Sequence, residues 1–446
     1  MRLNAVPAVS DIAESEKRNQ MSNRTIRIIF YLATLLPLSC ATPGRLSQKA
    51  AGPSGYDGYA CQHFLTEGIR QLGAGNFDSA MDLMRYCLEL DTASAAACYY
   101  LAECYMNAGD REIPGKLLQK AVRIEPDNYW YRRLLAINYT RLHKMKDAIA
   151  QYEEMIRRFP GRSDLILEVA ALYEETGQFE KELRALDRYG KLEDVADELQ
   201  IQRFLCYLQM GELDSAYYEA DRPAEIIELL MNSVNSAAGY DMVARFSSVV
   251  SQHEPGLADP YYYTAIIRYQ TDSHEKGVSI LDNGLQYVHD NAGRAKLFSL
   301  RGEFHHEMGM GSEMYQDYDS VLVYDPDNIG ALNNYAYFLS LEDRDLDRAL
   351  QMSARTVEEE PFNPTYLDTY AWVLFRMKRY EECLSYLEKA LRYLDTENPD
   401  IYEHYGDALF MCGEKEKAME YWHKAVQLNS TSKTLDRKIH EQKYIE

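Results

Sequence analysis

A chain of 446 residues, 46% hydrophobic and 26% charged, has enough apolar material for several domains or one long array. Its formal net charge of −22 argues against nucleic-acid binding, which needs a basic stripe, and against a polybasic hold on anionic lipid. Tyrosine is abundant, 36 against 13 Phe and 3 Trp, and gives rings with an apolar body and a polar tip. The eight cysteines form no CxxC, no CxxCH and no Cys/His zinc spacing. Cys87, Cys98, Cys104, Cys383 and Cys412 lie in helical patterns and are expected to be small buried hydrophobes.

In chain order, residues 1–20 carry Asp11, Glu14 and Glu16, which do not belong ahead of an export signal, so Met21 is the expected start and 1–20 an extension. Residues 21–40 have a basic head (Arg24, Arg27) and an apolar stretch from Ile28 to Leu38, the anatomy of a signal peptide. The stretch falls short of the roughly 20 apolar residues a membrane-spanning helix needs. Its end, Ser39-Cys40, resembles the lipobox of bacterial lipoproteins, which implies lipidation of Cys40, although Pro37 and Leu38 depart from the strict motif. Cleavage after Ala41, or no export at all, are the alternatives. Residues 41–58 are small, polar and Pro/Gly-rich, as in a flexible tether.

From about residue 59 one pattern returns every 34 residues. Tyr105, Tyr139, Tyr173 and Tyr207 share one place; Gly75, Gly109, Gly177 and Gly211 share the fifteenth, where His143 fills a gap. Each unit has apolar residues at places four, seven and eleven, small ones at eight, twenty and twenty-seven, and a bulky one at twenty-four. A proline at thirty-two blocks further helix. Residues 61–94, with Gly68, Gly75, Phe77 and Ala80, and residues 95–128, with Leu101, Ala102, Ala121 and Pro126, are clear copies. So are the stretches holding Ala371, Tyr380, Leu387 and Ala390, and Gly406, Gly413, Ala418, Trp422 and Ala425. The pattern resembles the tetratricopeptide repeat. The resemblance implies an all-α, right-handed solenoid of about eleven helix-turn-helix units.

The expected organisation is an N-terminal array over 59–223, a degenerate repeat over 224–257, a C-terminal array over 258–430 and a capping helix and tail over 431–446. Pro114 and Glu182 stand where alanine is usual, and single insertions shift the phase near Glu342 and Thr396.

Little in the chain suggests chemistry. "GDREIPGK" (109–116) has five residues between its glycines where a phosphate loop has four, and Leu117 replaces the Ser or Thr. His305-His306-Glu307 would need a histidine at Met310 to bind zinc, so His305 is expected to be a packing residue. No enzyme, metal or cofactor is expected.

The family resemblance implies that places 2, 5, 9, 12 and 13 of each unit face the concave groove. They collect Tyr99, Glu103, Trp130 and Arg133 in the first array, and Tyr262, Tyr269, His306, Asn333, Tyr337, Asp368, Trp372, Phe375, Arg376, Asp407 and Phe410 in the second. Rigid rings among polar groups suit a partner peptide or helix. The Lys/Asn/Arg clamp that some relatives use for chaperone C-termini is not matched. The expectation is a non-catalytic scaffold or adaptor of the bacterial cell envelope, membrane-tethered through Cys40 and facing the periplasm or outer membrane. A soluble cytoplasmic or periplasmic adaptor is the alternative.

Overall fold

The computed structural model describes residues 56–446 apart from 111, 194–195, 429–431, 433 and 446. The leader, Cys40 and nearly all of the tether lie outside these. Among the described residues there are 23 helices and no strands. They divide after Pro223 into two compact units.

The first unit contains α1 (Tyr56–Gly73), α2 (Phe77–Leu90), α3 (Ala95–Asn107), α4 (Ile113–Ile124) and α5 (Tyr129–Arg141). It continues with α6 (Met145–Arg158), α7 (Asp164–Glu175), α8 (Phe179–Leu192), α9 (Ala196–Met210) and the seven-residue α10 (Leu213–Glu219). The second begins with α11 (Pro223–Ser233), α12 (Ala237–His253), α13 (Ala258–Thr271), α14 (His274–Tyr287), α15 (Asn291–Glu307) and α16 (Gly311–Tyr324). It ends with α17 (Ile329–Leu341), α18 (Leu346–Glu359), α19 (Pro364–Arg376), α20 (Tyr380–Arg392), α21 (Pro399–Met411), α22 (Lys415–Gln427) and α23 (Leu435–Glu441). Paired in order, ten of these pairs pack as hairpins; α11 and α12, over the stretch expected to be degenerate, make no comparable contact, and α23 is a last single helix. Helix α1 begins at Tyr56, inside the last residues of the stretch expected as a tether.

The fifteenth place explains the recurring glycine. Gly75, Gly109, Gly177, Gly211, Gly309 and Gly413 all have positive φ, between 68° and 91°, at the turn joining the two helices of a hairpin. A left-handed residue there reverses the chain within three residues, and a side chain at such a φ costs about 1–2 kcal/mol; the α13/α14 turn manages without one, with Asp272 at φ −106° and Ser273 at −161°. His143, Asp343 and Lys378 hold the same place at φ of 55°, 50° and 63°. The insertion expected near Glu342 is visible as a second left-handed residue, Asp345, at φ 43°.

Close helix crossing explains the small residues. Ala80, Ala148, Ala216, Ala349 and Ala418 at place twenty have no solvent exposure. A Cβ on Gly406 would come within 2.6 Å of Trp422 Cδ1 and 3.2 Å of the Ala418 carbonyl oxygen. New first helices start on a capping side chain: Ser94, Asn128, Asn328, Asn363 and Asn398 each accept a backbone N–H of the first turn. The proline at place thirty-two, two residues earlier, is present in most of these units but not all.

In the second unit, α13 touches α15, α17 touches α19 and α19 touches α21 in addition to the contacts within hairpins, while α15 meets α17 through the His306 and Phe338 rings. Among the described residues, second helices of neighbouring hairpins make no comparable contact. First helices thus form the tightly apposed wall, and second helices the splayed one.

Cys87 is not the plain hydrophobe the sequence suggested. It is bonded to Cys61, tying α1 to α2 across 26 residues. Cys98, Cys104 and Cys383 are free and buried, while Cys412 is only half-buried.

Candidate functional site

The residues expected on the groove lie on first helices of both units. In the first unit Trp130 is an exposed ring, 43% accessible, packed edge-on against Tyr129 at 5.1 Å. Tyr99 is half-buried between Tyr100 and Tyr131, at 5.0 and 5.1 Å. Burial raises the pKa of both the Tyr99 hydroxyl and the neighbouring Glu103 carboxyl. Arg133 is engaged by the next hairpin, with Nη2 donating to Glu168 Oε1 at 2.6 Å.

In the second unit, Tyr262 is half-buried and lies under the Lys296 ammonium, 4.5 Å from its ring centre. Lys296 pairs with Asp259. Tyr269 is buried, with Phe304 at 3.7 Å and His274 at 4.3 Å, both stacked on it. Its ring therefore serves packing between hairpins. His306 packs on Phe338 at 4.1 Å, and burial lowers its pKa. On the same helix Glu303 is pushed up to about 7 by burial and then by Glu307.

Tyr337 is half-buried, its hydroxyl pushed up to about 12 by burial and by the carboxylates of Asp368, Asp400 and Glu403. Asp368 Oδ1 lies 2.8 Å from His404 Nδ1. Burial alone would lower the His404 pKa, but the Asp368 carboxylate beside it raises it. His404 also stacks on Trp372 at 4.0 Å, and Trp372 lies parallel to Phe375 at 4.7 Å. Both rings are buried, and the Trp372 indole N–H has no acceptor among the described residues. Arg376 grips the Asp343 carboxylate from both Nε (2.8 Å) and Nη2 (2.5 Å). Asp407 accepts from Trp422 Nε1 at 2.9 Å and from Lys438 Nζ at 2.6 Å. Burial nonetheless raises its pKa to about 6, with Lys438 opposing. Phe410 is half-buried against Trp422 at 5.6 Å. Asn333 is buried beside Asn334.

The expected groove residues thus fall into two groups. Trp130, Tyr99, Tyr262, Tyr337 and Phe410 keep part of their surface on the wall. Arg133, Tyr269, Asp368, Trp372, Phe375 and Arg376 are tied into contacts with neighbouring hairpins. Sequence reasoning missed the charge ladder joining one first helix to the next. Arg133–Glu168, Asp368–His404 and Glu403–Lys438 are separated by 35, 36 and 35 residues. Opposite charges about one repeat apart were the available signal.

The two stretches that resemble chemical motifs have structural roles. In 109–116, Asp110 Oδ1 accepts the backbone N–H groups of Glu112 and Ile113 at 2.9 and 3.0 Å, closing a hairpin turn. His305 is buried, with Nδ1 2.8 Å from Asp317 Oδ2, and Arg301 donates to the same carboxylate. Among the described residues no helix is long and apolar enough to cross a membrane.

Two family models, both described as tetratricopeptide repeat, match residues 71–112 and 365–393. No curated protein matches the sequence. The yeast Tom70 crystal structure is 14% identical, with 86% of this chain and 94% of that one covered and a TM-score of 0.35. The APC/C hetero-tetramer Cut9–Hcn1 gives 11% identity, coverage of 87% and 96%, and a TM-score of 0.39. Naa15/Naa10 bound to HypK gives 16% identity and a TM-score of 0.36; 81% of this chain is covered but only 62% of that one, less than two thirds of its length.

Proposed function

We propose that this chain, a tetratricopeptide-repeat protein, is a non-catalytic scaffold that holds a partner protein segment on its first-helix wall while a lipid on Cys40 ties it to a bacterial envelope membrane. The observation that carries the binding role is the wall itself. In the second unit Tyr262, Tyr337 and Phe410 keep partial exposure on first helices whose neighbouring side chains are engaged in inter-hairpin pairs. Rigid half-exposed rings lose little entropy on contact and suit an extended or helical segment.

Two features support export. One is the leader over residues 21–40 ending in Ser39-Cys40. The other is the Cys61–Cys87 disulfide, a bond at home in oxidising compartments and rare in the cytosol. The lipid would localise, the tether give reach, and the wall recognise. A multiply acylated cysteine anchors stably where a single chain would not. The alternative of a soluble adaptor lacks the lipid but keeps the wall.

Mass spectrometry of the mature N-terminus, with membrane fractionation of the wild type and of Cys40→Ser, tests the anchor. A diacylated or triacylated Cys40 and a soluble Cys40→Ser variant are the expected outcome. An unmodified N-terminal Ala or Thr in a soluble fraction contradicts it.

A further inference from the structure

Helix α23 continues the repeat as a first helix without a second among the described residues. Leu435 and Lys438 stand 34 residues after Ile401 and His404; Leu435 and Ile401 are both 2% exposed. Lys438 Nζ donates to Glu403 Oε1 at 2.7 Å and Asp407 Oδ2 at 2.6 Å, as His404 meets Asp368 one hairpin earlier. That much is capping, which an array needs at its end. The turn beyond α23 is not required by capping. Gln442 adopts φ 49°, and the Lys443 N–H bonds back to the Lys438 carbonyl at 3.2 Å. The chain is thereby turned so that the Tyr444 ring lies 5.4 Å from Phe375, on α19, past the adjacent hairpin.

We propose that the surface made by Trp372, Phe375 and His404 is an acceptor for an aromatic side chain of a partner segment, and that Tyr444 is its resident, exchangeable occupant. The inference rests on the scaffold reading and adds the kind of partner: a segment with an aromatic residue beside a basic one. The chain's own Lys443-Tyr444 is the template. The surroundings favour such a segment: Asp368 and Glu403 are paired with His404 and Lys438, but Asp400, which acts with them on the neighbouring Tyr337, has no ion pair among the described residues. The fit of the tail is incomplete, since the buried Trp372 indole N–H finds no acceptor among the described residues. A segment that also supplied a carbonyl oxygen would satisfy that donor, giving a partner the means to compete with an occupant already present at high effective concentration. Exchange needs the chain beyond Gln442 to move, while α23 and the Lys438 pairs stay in place.

The test uses the full-length protein, a form ending at Gln442, and full-length Tyr444→Ala. The probe is a synthetic peptide of residues 438–446, with its Tyr444→Ala form as control. Binding is followed by intrinsic fluorescence, with Trp372→Phe identifying the responding ring. The expected result is saturable binding to the shortened protein and to full-length Tyr444→Ala. Affinity should be at least about tenfold weaker for the intact protein and for the Tyr444→Ala peptide, a difference of about 1.4 kcal/mol. Equal binding to intact and shortened forms, or no binding to either opened form while circular dichroism shows native helix, overturns the proposal. If the shortened form does not fold, full-length Tyr444→Ala decides alone. Failure here with partner cross-linking to the wall intact would remove this acceptor site and leave the scaffold reading standing.

Discussion

Reducing the Cys61–Cys87 bond, or replacing both cysteines by alanine, should loosen one end of the array and nothing else. In the loop-entropy treatment a cross-link spanning 26 residues takes about 12 cal/mol/K from the unfolded ensemble, which is about 3.5 kcal/mol near room temperature. Hydrogen exchange resolves where that difference falls. Among the described residues hairpin α1/α2 has a neighbour on one side only, α3, so its opening need not carry the rest of the array. About 3.5 kcal/mol corresponds to a roughly 300-fold gain in the opening equilibrium. Amides of residues 56–90 should lose protection by up to that factor, less whatever strain or residual structure offsets. Amides of α15 to α22 should be unchanged. An equal loss of protection across both compact units would refute the reasoning, because it would mean the array unfolds as one block. No loss in α1 and α2 would refute it as well.

Three further outcomes are expected. Gly406→Ala should destabilise residues 224–446 by about 1–3 kcal/mol in urea titration, since its Cβ would meet Trp422 Cδ1 at 2.6 Å and that indole is pinned by Asp407. Gly177→Ala should cost about 1–2 kcal/mol in thermal unfolding, because φ there is 68°, and His143→Gly should gain rather than lose stability. Glu303 bears on pH dependence. Its carboxyl titrates at about 7 in the folded chain against 4.5 as its ordinary value, so the folded state holds the extra proton between those values. Stability from this group is therefore lost as pH rises from about 4.5 through 7. Glu303→Gln should match the wild type near pH 4 and exceed it near pH 8 by roughly 1–3 kcal/mol in paired thermal melts.

The fold was legible because its constraints act at short range and repeat. A left-handed turn residue, a small residue at a helix crossing and a proline after the second helix each leave a mark at a fixed place, and Gly75, Ala80 and Pro126 are such marks. The degenerate middle was legible for the same reason in reverse. Arg222-Pro223 stops the pattern, and α10 is indeed only seven residues long. The wall was less legible. Place arithmetic put Trp372 and Phe375 on it, but their covering by His404 and Tyr444 depends on contacts between successive hairpins and on the turn at Gln442. Asp368 and Arg376 looked available because their partners, His404 and Asp343, stand 36 and 33 residues away, beyond any local motif. The disulfide was hidden for a similar reason. Cys61 and Cys87 sit at places one and twenty-seven, where apolar residues of the same size would be equally at home.

Site-specific photo-cross-linking in native membranes tests recognition on the first-helix wall most directly. A benzophenone amino acid is placed at Tyr262 or Tyr337, on first helices of the second unit, and at Val323, which is 74% exposed on the second helix α16. The same partner band from the first-helix positions, and none from Val323, is the predicted result. Cross-links from Val323 with none from the two wall positions would contradict the account.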